Sequence, residues 1–461
     1  MKKIRFMLFA LLALLYATNA DALIVGNKIK RDGITYEVTF MDVAHDGLPA
    51  RYEAKFVSSN LSGALTIPST VTDENNQYTF NVIAIDANST VPNATSVSIP
   101  NSVTTINANA FKGNNITSIT IPASVTDIKD GAFSQMKGLT SINVESGSAK
   151  YSATDGVLYE NRSEGKFLIS YPVAKQGTAY GVGGEEFTVP EGVVGIATNG
   201  FQCAATLTRI NLPTTLTQLP TTNEANGFTS ATNLKEIKVA SGNTAFKDID
   251  GVVVTSDGKK LIAYPNNKGG IVDANYDAPT SIDPTHAKAK GNYYEIPAGV
   301  ETIAKGAFAQ VQTITAVKLK DVKKIEEGAF YSVRNLRNVE ISASVQEIAN
   351  GAISGTPDLL GFKVDAGNPY YAADAEGVVY TKDFSELVLY PSGRTGEYTT
   401  HPNTKKIRNR AFYYAQKLTK ITFNSGLEEI ENDAFQGAAS LKEIEYAPTA
   451  TLKKIGTFAF Y

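Results

Sequence analysis

The chain has 461 residues and carries 43 Lys+Arg against 46 Asp+Glu, a formal net charge of −3. Only 19% of residues are charged and 43% are hydrophobic, which excludes a disordered polyelectrolyte and gives no basic surface for nucleic acid. One cysteine excludes an internal disulfide framework and a cysteine-rich zinc site, and three histidines with no tryptophan leave little for a catalytic or metal centre.

Residues 1–22 read as an export signal. Lys2, Lys3 and Arg5 precede an unbroken apolar run from Phe6 to Tyr16, and Ala20-Asp21-Ala22 supplies a small-residue cleavage site. That run is too short to span a bilayer, which takes about 20 residues. No second run of that kind follows, so the mature chain is expected to be secreted or held at the cell surface, without membrane insertion.

Next comes a strand-rich segment with the turn Asp32-Gly33 and alternating strands at Ile34–Phe40 and Tyr52–Val57, expected to cap the first coil. From Val103 the chain repeats itself: Val125, Ile128, Ala132-Phe133, Leu139, Ile142 and Val144 set the pattern. The same spacing returns at Val300, Ile303, Ala307-Phe308, Ile314, Val317 and Leu319, then with a period of 22 or 23 residues at Val322, Ile325, Ala329-Phe330, Leu336, Val339 and Ile341. Leu-x-x-Ile-x-Ile predicts a short strand with one face inward. The proline after it, as at Ile121-Pro122 and Ile296-Pro297, ends the strand because it cannot donate to a ladder. Val-x-x-Ile then turns the chain, and the Gly, Asp or Asn before Ala-Phe suits a tight bend or a short helix start. One coil cannot bury its apolar edge alone, but about 11 stacked coils can, forming one parallel sheet roughly 50 Å long at about 4.8 Å per strand.

Three similar segments interrupt the repeats: Tyr151 to Pro172, Phe246 to Pro265 and Tyr371 to Pro391. Each is expected to be a β-hairpin, with an acidic residue and Gly at a turn and a Tyr-Pro exit. The chain therefore divides into an export signal (1–22), a β-rich cap with the first strand (23–81), and repeats at 82–145, 186–239, 293–364 and 404–461. Hairpin insertions occupy 146–185, 240–292 and 365–403. The fold class is a leucine-rich-repeat solenoid of stacked short parallel strands with short helical or turn segments. The last copy stops at Tyr461 before its strand, which suggests a fragment or an end covered by a neighbour.

The repeat Ile-x-Ile-Pro-x-x-Val-x-x-Ile-x-x-x-Ala-Phe, interrupted by Asp-Gly-Val-Leu-Tyr…Tyr-Pro hairpins, resembles the BspA-like leucine-rich repeat proteins of anaerobic bacteria, over essentially residues 30–461. That resemblance implies a secreted or surface-exposed adhesion protein that binds host extracellular-matrix proteins or other cells, and it offers no catalytic residues to carry over.

The outward side chains between the inward pairs are Thr120, Asn143, Asn211, Lys238, Lys318, Glu340, Lys363, Thr422 and Glu445, and these form the candidate ligand-binding face. The hairpin tyrosines Tyr159, Tyr171, Tyr264, Tyr380 and Tyr390 are expected to pack each hairpin onto the solenoid rather than to anchor a partner. Cys203 reads as a small, buried or half-buried residue, and His45, His286 and His401 as solvated loop residues. Asp248, Asp250 and Asp257 fit hairpin turns better than a calcium loop. No catalytic residue, cofactor or metal is expected. The leading expectation is a monomeric, non-catalytic adhesion protein for a matrix protein or another cell surface. A glycan-capture module for nutrient uptake is the alternative, weakened by the absence of tryptophan.

Overall fold

The computed structural model describes residues 24–42, 49–75, 77–113, 115–180, 184–222, 225–272, 292–447 and 452–461. The chain forms two compact units, residues 1–151 and 152–461. The export signal, His45 and His286 lie outside the described residues.

A regular coil has three sides. On the first, Ala316–Leu319, Asn338–Ile341 and Gly361–Val364 run parallel and in register, so Val317, Val339 and Phe362 line up inside. On the second, the two-residue strands Thr302–Ile303, Lys324–Ile325 and Glu347–Ile348 do the same, bringing Ile303, Ile325 and Ile348 into one buried row. On the third, the Phe308 amide donates to the Ala329 carbonyl at 2.8 Å, and that of Phe330 to Ala352 at 2.9 Å. The Phe308 and Phe330 rings stack 4.6 Å apart at 13°, and both are fully buried. Alanine before each phenylalanine is required by this closeness, since a larger side chain would fill the space of the next coil.

Among the described residues no segment is helical; the parts between the strands are turns. Backbone conformation gives the reason. The residue before Ala-Phe is left-handed in coil after coil: Asn109 (φ 55°), Gly131 (φ 72°), Gly328 (φ 64°), Arg410 (φ 57°) and Asp433 (φ 53°). So is the residue two after the phenylalanine, as at Cys203 (φ 61°), Gln310 (φ 60°), Ser332 (φ 57°) and Tyr414 (φ 54°). A left-handed residue every few positions stops a right-handed helix from starting.

The expected single long sheet is also replaced by several shorter ones. The widest first-side sheet has five strands, ordered Ile271–Val272, Asn292–Glu295, Ala316–Leu319, Asn338–Ile341 and Gly361–Val364. The interrupting segments cause the breaks. The second and third are three-stranded meanders, Phe246–Ile249, Val252–Thr255 and Lys260–Ala263, then Tyr371–Ala373, Val379–Thr381 and Glu386–Leu389. The last strand of each pairs parallel with the next coil, Leu261 with Ile303 and Leu387 with Ile407, so the second-side sheet begins in the meander. The tyrosine at each exit then takes the place of the phenylalanine. Tyr264 stacks on Phe308 at 4.9 Å, Tyr390 on Phe412 at 4.5 Å, and Tyr171 lies 5.6 Å from Phe201.

Each meander also closes the coils before it. The Ile237 amide donates to the Gly251 carbonyl at 2.9 Å and the Phe362 amide to Gly377 at 3.0 Å, ending the first-side ladders. The Tyr371 hydroxyl accepts from the Ile348 amide at 3.0 Å, ending the second-side ladder. An acidic turn residue is tied to a cation beyond the exit proline in all three: Asp155 to Lys175 at 3.2 Å, Asp250 to Lys268 at 2.8 Å, and Glu376 to Arg394.

In the first unit, Lys28–Arg31, Ile34–Asp42 and Arg51–Ser59 pair antiparallel, and Arg51–Ser59 runs parallel to Thr79–Thr90. That ladder continues into Thr105–Ile106 and Asp127–Ile128. The Tyr151 hydroxyl accepts from the Ile128 amide at 2.9 Å, matching Tyr371 in the second unit.

Candidate binding face

The outward residues of the first-side strands form rows because strand register is kept from coil to coil. In the first unit Thr120 lies beside Asn143, and Ser118 beside Ser141. Asn143 donates its amide to the Ser118 hydroxyl at 3.1 Å, and the row carries no charge.

In the second unit Asn211 pairs with Lys238, Lys318 with Glu340 and Glu340 with Lys363, and Thr422 with Glu445. The nine sequence-predicted residues are therefore brought together in short local rows rather than one continuous ladder. Several of them are used by the fold itself. Asn211 donates to the Thr188 hydroxyl at 3.1 Å, and Lys238 pairs with Asp248 at 3.1 Å. Thr422 donates to Glu445 at 3.3 Å, and Lys420 sits 2.9 Å from Glu445. That hydrogen bond lifts the Lys420 ammonium above its usual value and holds the Glu445 carboxyl below its own.

The Lys318–Glu340–Lys363 row differs in shape. With Glu295, Lys320 and Asp365 it lines a shallow depression of about 290 Å³. Lys320 pairs with Glu295 at 3.1 Å, and the Lys318 ammonium lies 4.2 Å from the centre of the Tyr293 ring. Signs alternate along the row, and Lys363 is exposed.

The hairpin tyrosines are packed inward. Tyr159, Tyr171, Tyr264, Tyr380 and Tyr390 are all buried, and burial pushes the Tyr380 and Tyr390 hydroxyls up to about 12. Tyr380 hydrogen-bonds Tyr398, whose hydroxyl donates to Asp374 at 2.7 Å, so the third meander hides a polar chain that its sequence gave no sign of. Cys203 is half-buried in its left-handed corner. His401 is not a free loop side chain: it is half-buried and stacks on Phe384 at 4.2 Å. The three aspartates considered for calcium are engaged in turns. Asp250 pairs with Lys268, and Asp257 accepts from Thr255 at 2.6 Å and from the Lys259 amide at 2.9 Å. Burial raises the Asp248 carboxyl, but the Val239 amide, Lys238 and the Gly251 amide outweigh it and hold the group below the usual range.

Over the described residues these features define a β-solenoid of short repeats, without helix, that carries an exposed polar strand face. The BspA type leucine rich repeat region, in six copies, matches residues 81–159, 180–250, 286–369 and 395–461. The chain belongs to that family, a repeat scaffold that is generally non-enzymatic and associated with binding.

Among solved structures, the chain is similar to a leucine-rich repeat protein from Eubacterium ventriosum (19% identity, 93% of this chain and 92% of that one, TM-score 0.45). It is also similar to a leucine rich cell surface protein from Faecalibacterium prausnitzii (17%, 93% and 96%, TM-score 0.33). The pneumococcal vaccine antigen PcpA is a further neighbour (17%, 94% and 78%, TM-score 0.29). No curated protein matches the sequence.

Proposed function

We propose that the chain is an exported, non-catalytic adhesion protein that binds a protein of a host matrix or of another cell through the strand face of its second unit. The observation that carries this reading is the alternating row Lys318, Glu340 and Lys363 above the depression of about 290 Å³. Strands about 4.8 Å apart present these charges from a fixed backbone, so little ordering is needed on binding. Such a row recognises a partner by complementary charge, which sets register and speeds encounter. Export is supported by the charged, apolar and small-residue order of residues 1–22.

The test is surface plasmon resonance of the mature chain against immobilised matrix proteins. The Lys318→Glu, Lys363→Glu double variant should lose about tenfold or more in affinity, with binding of the parent weakening as salt rises. Unchanged binding by this variant, with its melting temperature preserved, removes the strand face from the account.

A further inference from the structure

Beside the strand face, at the corner where the third side turns into the first, lies a second and larger recess of about 580 Å³. Among the described residues its lining includes Asn267, Gln312, Thr313, Thr315, Asn335 and Arg337, with no carboxylate. That size falls within the range of small-ligand sites, about 300–1,000 Å³.

Its walls are fixed by the fold. The Asn335 amide reaches one coil back to the Gln312 carbonyl at 2.6 Å, and the Thr313 hydroxyl donates to the Lys268 carbonyl at 2.5 Å. The Arg337 backbone amide donates to Thr315 at 2.8 Å, which anchors the residue at the start of its strand.

Arg337 differs from most arginines of the described residues. Arg51, Arg162, Arg209, Arg394, Arg408 and Arg410 each pair with a carboxylate. Among the described residues Arg337 has no acidic partner, although it is half-buried and lines a polar recess. Lys268, close by, is already neutralised by Asp250 at 2.8 Å. Among the described residues the one uncompensated charge of the recess is therefore a guanidinium, whose planar fork matches a carboxylate. Around it stand amides and hydroxyls, which both donate and accept, as the hydroxyls of a sugar require. The described lining residues offer no large apolar wall for a peptide side chain.

We propose that this recess binds a sugar bearing a carboxylate, a uronic-acid unit of an acidic polysaccharide, with Arg337 holding the carboxylate and Asn267, Gln312 and Asn335 holding ring hydroxyls. The site is separate from the Lys318–Glu340–Lys363 row, so its failure leaves protein binding by the strand face untouched.

The experiment is isothermal titration calorimetry of the full mature chain with tetragalacturonate, its methyl ester and a sulfated neutral oligosaccharide. Tetragalacturonate should bind, and the methyl ester should bind about tenfold more weakly or worse. Arg337→Gln should lose about tenfold or more, Arg337→Lys should fall between it and the parent, and Arg334→Gln should stay within about twofold. A melting curve of Arg337→Gln matching the parent shows that the loss comes from the site. Equal binding of the methyl ester, binding of the sulfated sugar as tight as that of the uronate, or no binding at all overturns the proposal.

Discussion

Asn368 is fully buried where the third meander begins, and replacing it with alanine should cost about 3 kcal/mol. Its amide nitrogen donates to the Ser342 carbonyl at 2.8 Å and to Val345 at 2.9 Å. Its oxygen accepts from the Tyr370 and Tyr371 amides, both at 2.8 Å. Each such bond contributes about 0.5–1.5 kcal/mol net, and truncation would take a partner from the Val345 carbonyl and the Tyr370 and Tyr371 amides, while the Ser342 carbonyl keeps the Val345 amide at 3.3 Å. The four share one side chain, so the sum is less than additive. Asn243 makes the same four bonds in the second meander, at 2.8 to 2.9 Å, and its alanine variant should behave alike. Equilibrium denaturation in urea measures the loss, with exposed Asn403→Ala as the control, expected within about 0.5 kcal/mol of the parent. Hydrogen exchange should also speed up at the Ile348 amide, which Tyr371 holds at 3.0 Å. If Asn368→Ala costs no more than Asn403→Ala, the claim that this amide locks the meander to the coil before it is wrong.

Phe330 is fully buried and Tyr331 only partly so; Phe330→Ala should cost about 3–5 kcal/mol and Tyr331→Ala under about 1, read by denaturant unfolding. The buried tyrosines set an alkaline limit. Burial raises Tyr380 and Tyr390 to about 12 while the unfolded value is about 10, so the neutral form is favoured in the fold. Their contribution is complete below pH 10 and is lost as pH rises from about 10 to 12, which a tyrosinate absorbance titration followed alongside circular dichroism should register. Gly306→Ala should destabilise by well over about 1 kcal/mol in the same urea assay. Its φ is +64°, and an added Cβ would stand 2.4 Å from the Thr222 carbonyl oxygen.

The inward rows were legible because burial alternates with the strand: Val317, Leu319, Val339 and Ile341 follow the spacing of two, and all are buried. The Ala-Phe slots were legible from their recurrence in the repeat, although Ala307 and Phe308 are adjacent and both buried. The corners were not. Gln310, Ser332, Cys203 and Tyr414 adopt the left-handed conformation without being glycine, so the usual marker of that turn is missing. The continuation of the second side through each meander was hidden because Tyr264 and Tyr390 replace phenylalanine there, and the Tyr-Pro pair read as the end of a hairpin. A signal for the buried amides did exist: Ser241-Gly242-Asn243 and Ala366-Gly367-Asn368 both precede the first meander strand.

Of the candidate face, outward direction followed from strand alternation, but not which polar groups are already occupied. Lys238 and Asn211 face outward as expected, yet bind Asp248 and Thr188, contacts set by meander position and register. The recess at Arg337 was missed because its lining comes from three separate stretches at a corner, where strand periodicity says nothing.

The most direct measurement is a double-mutant cycle on Phe308 and Phe330, one coil apart with rings stacked at 4.6 Å. Stacked coils predict a coupling of about 0.5–1.5 kcal/mol between Phe308→Ala and Phe330→Ala in urea unfolding. Strictly additive losses would contradict the central claim that each coil is held by the aromatic ring of its neighbour.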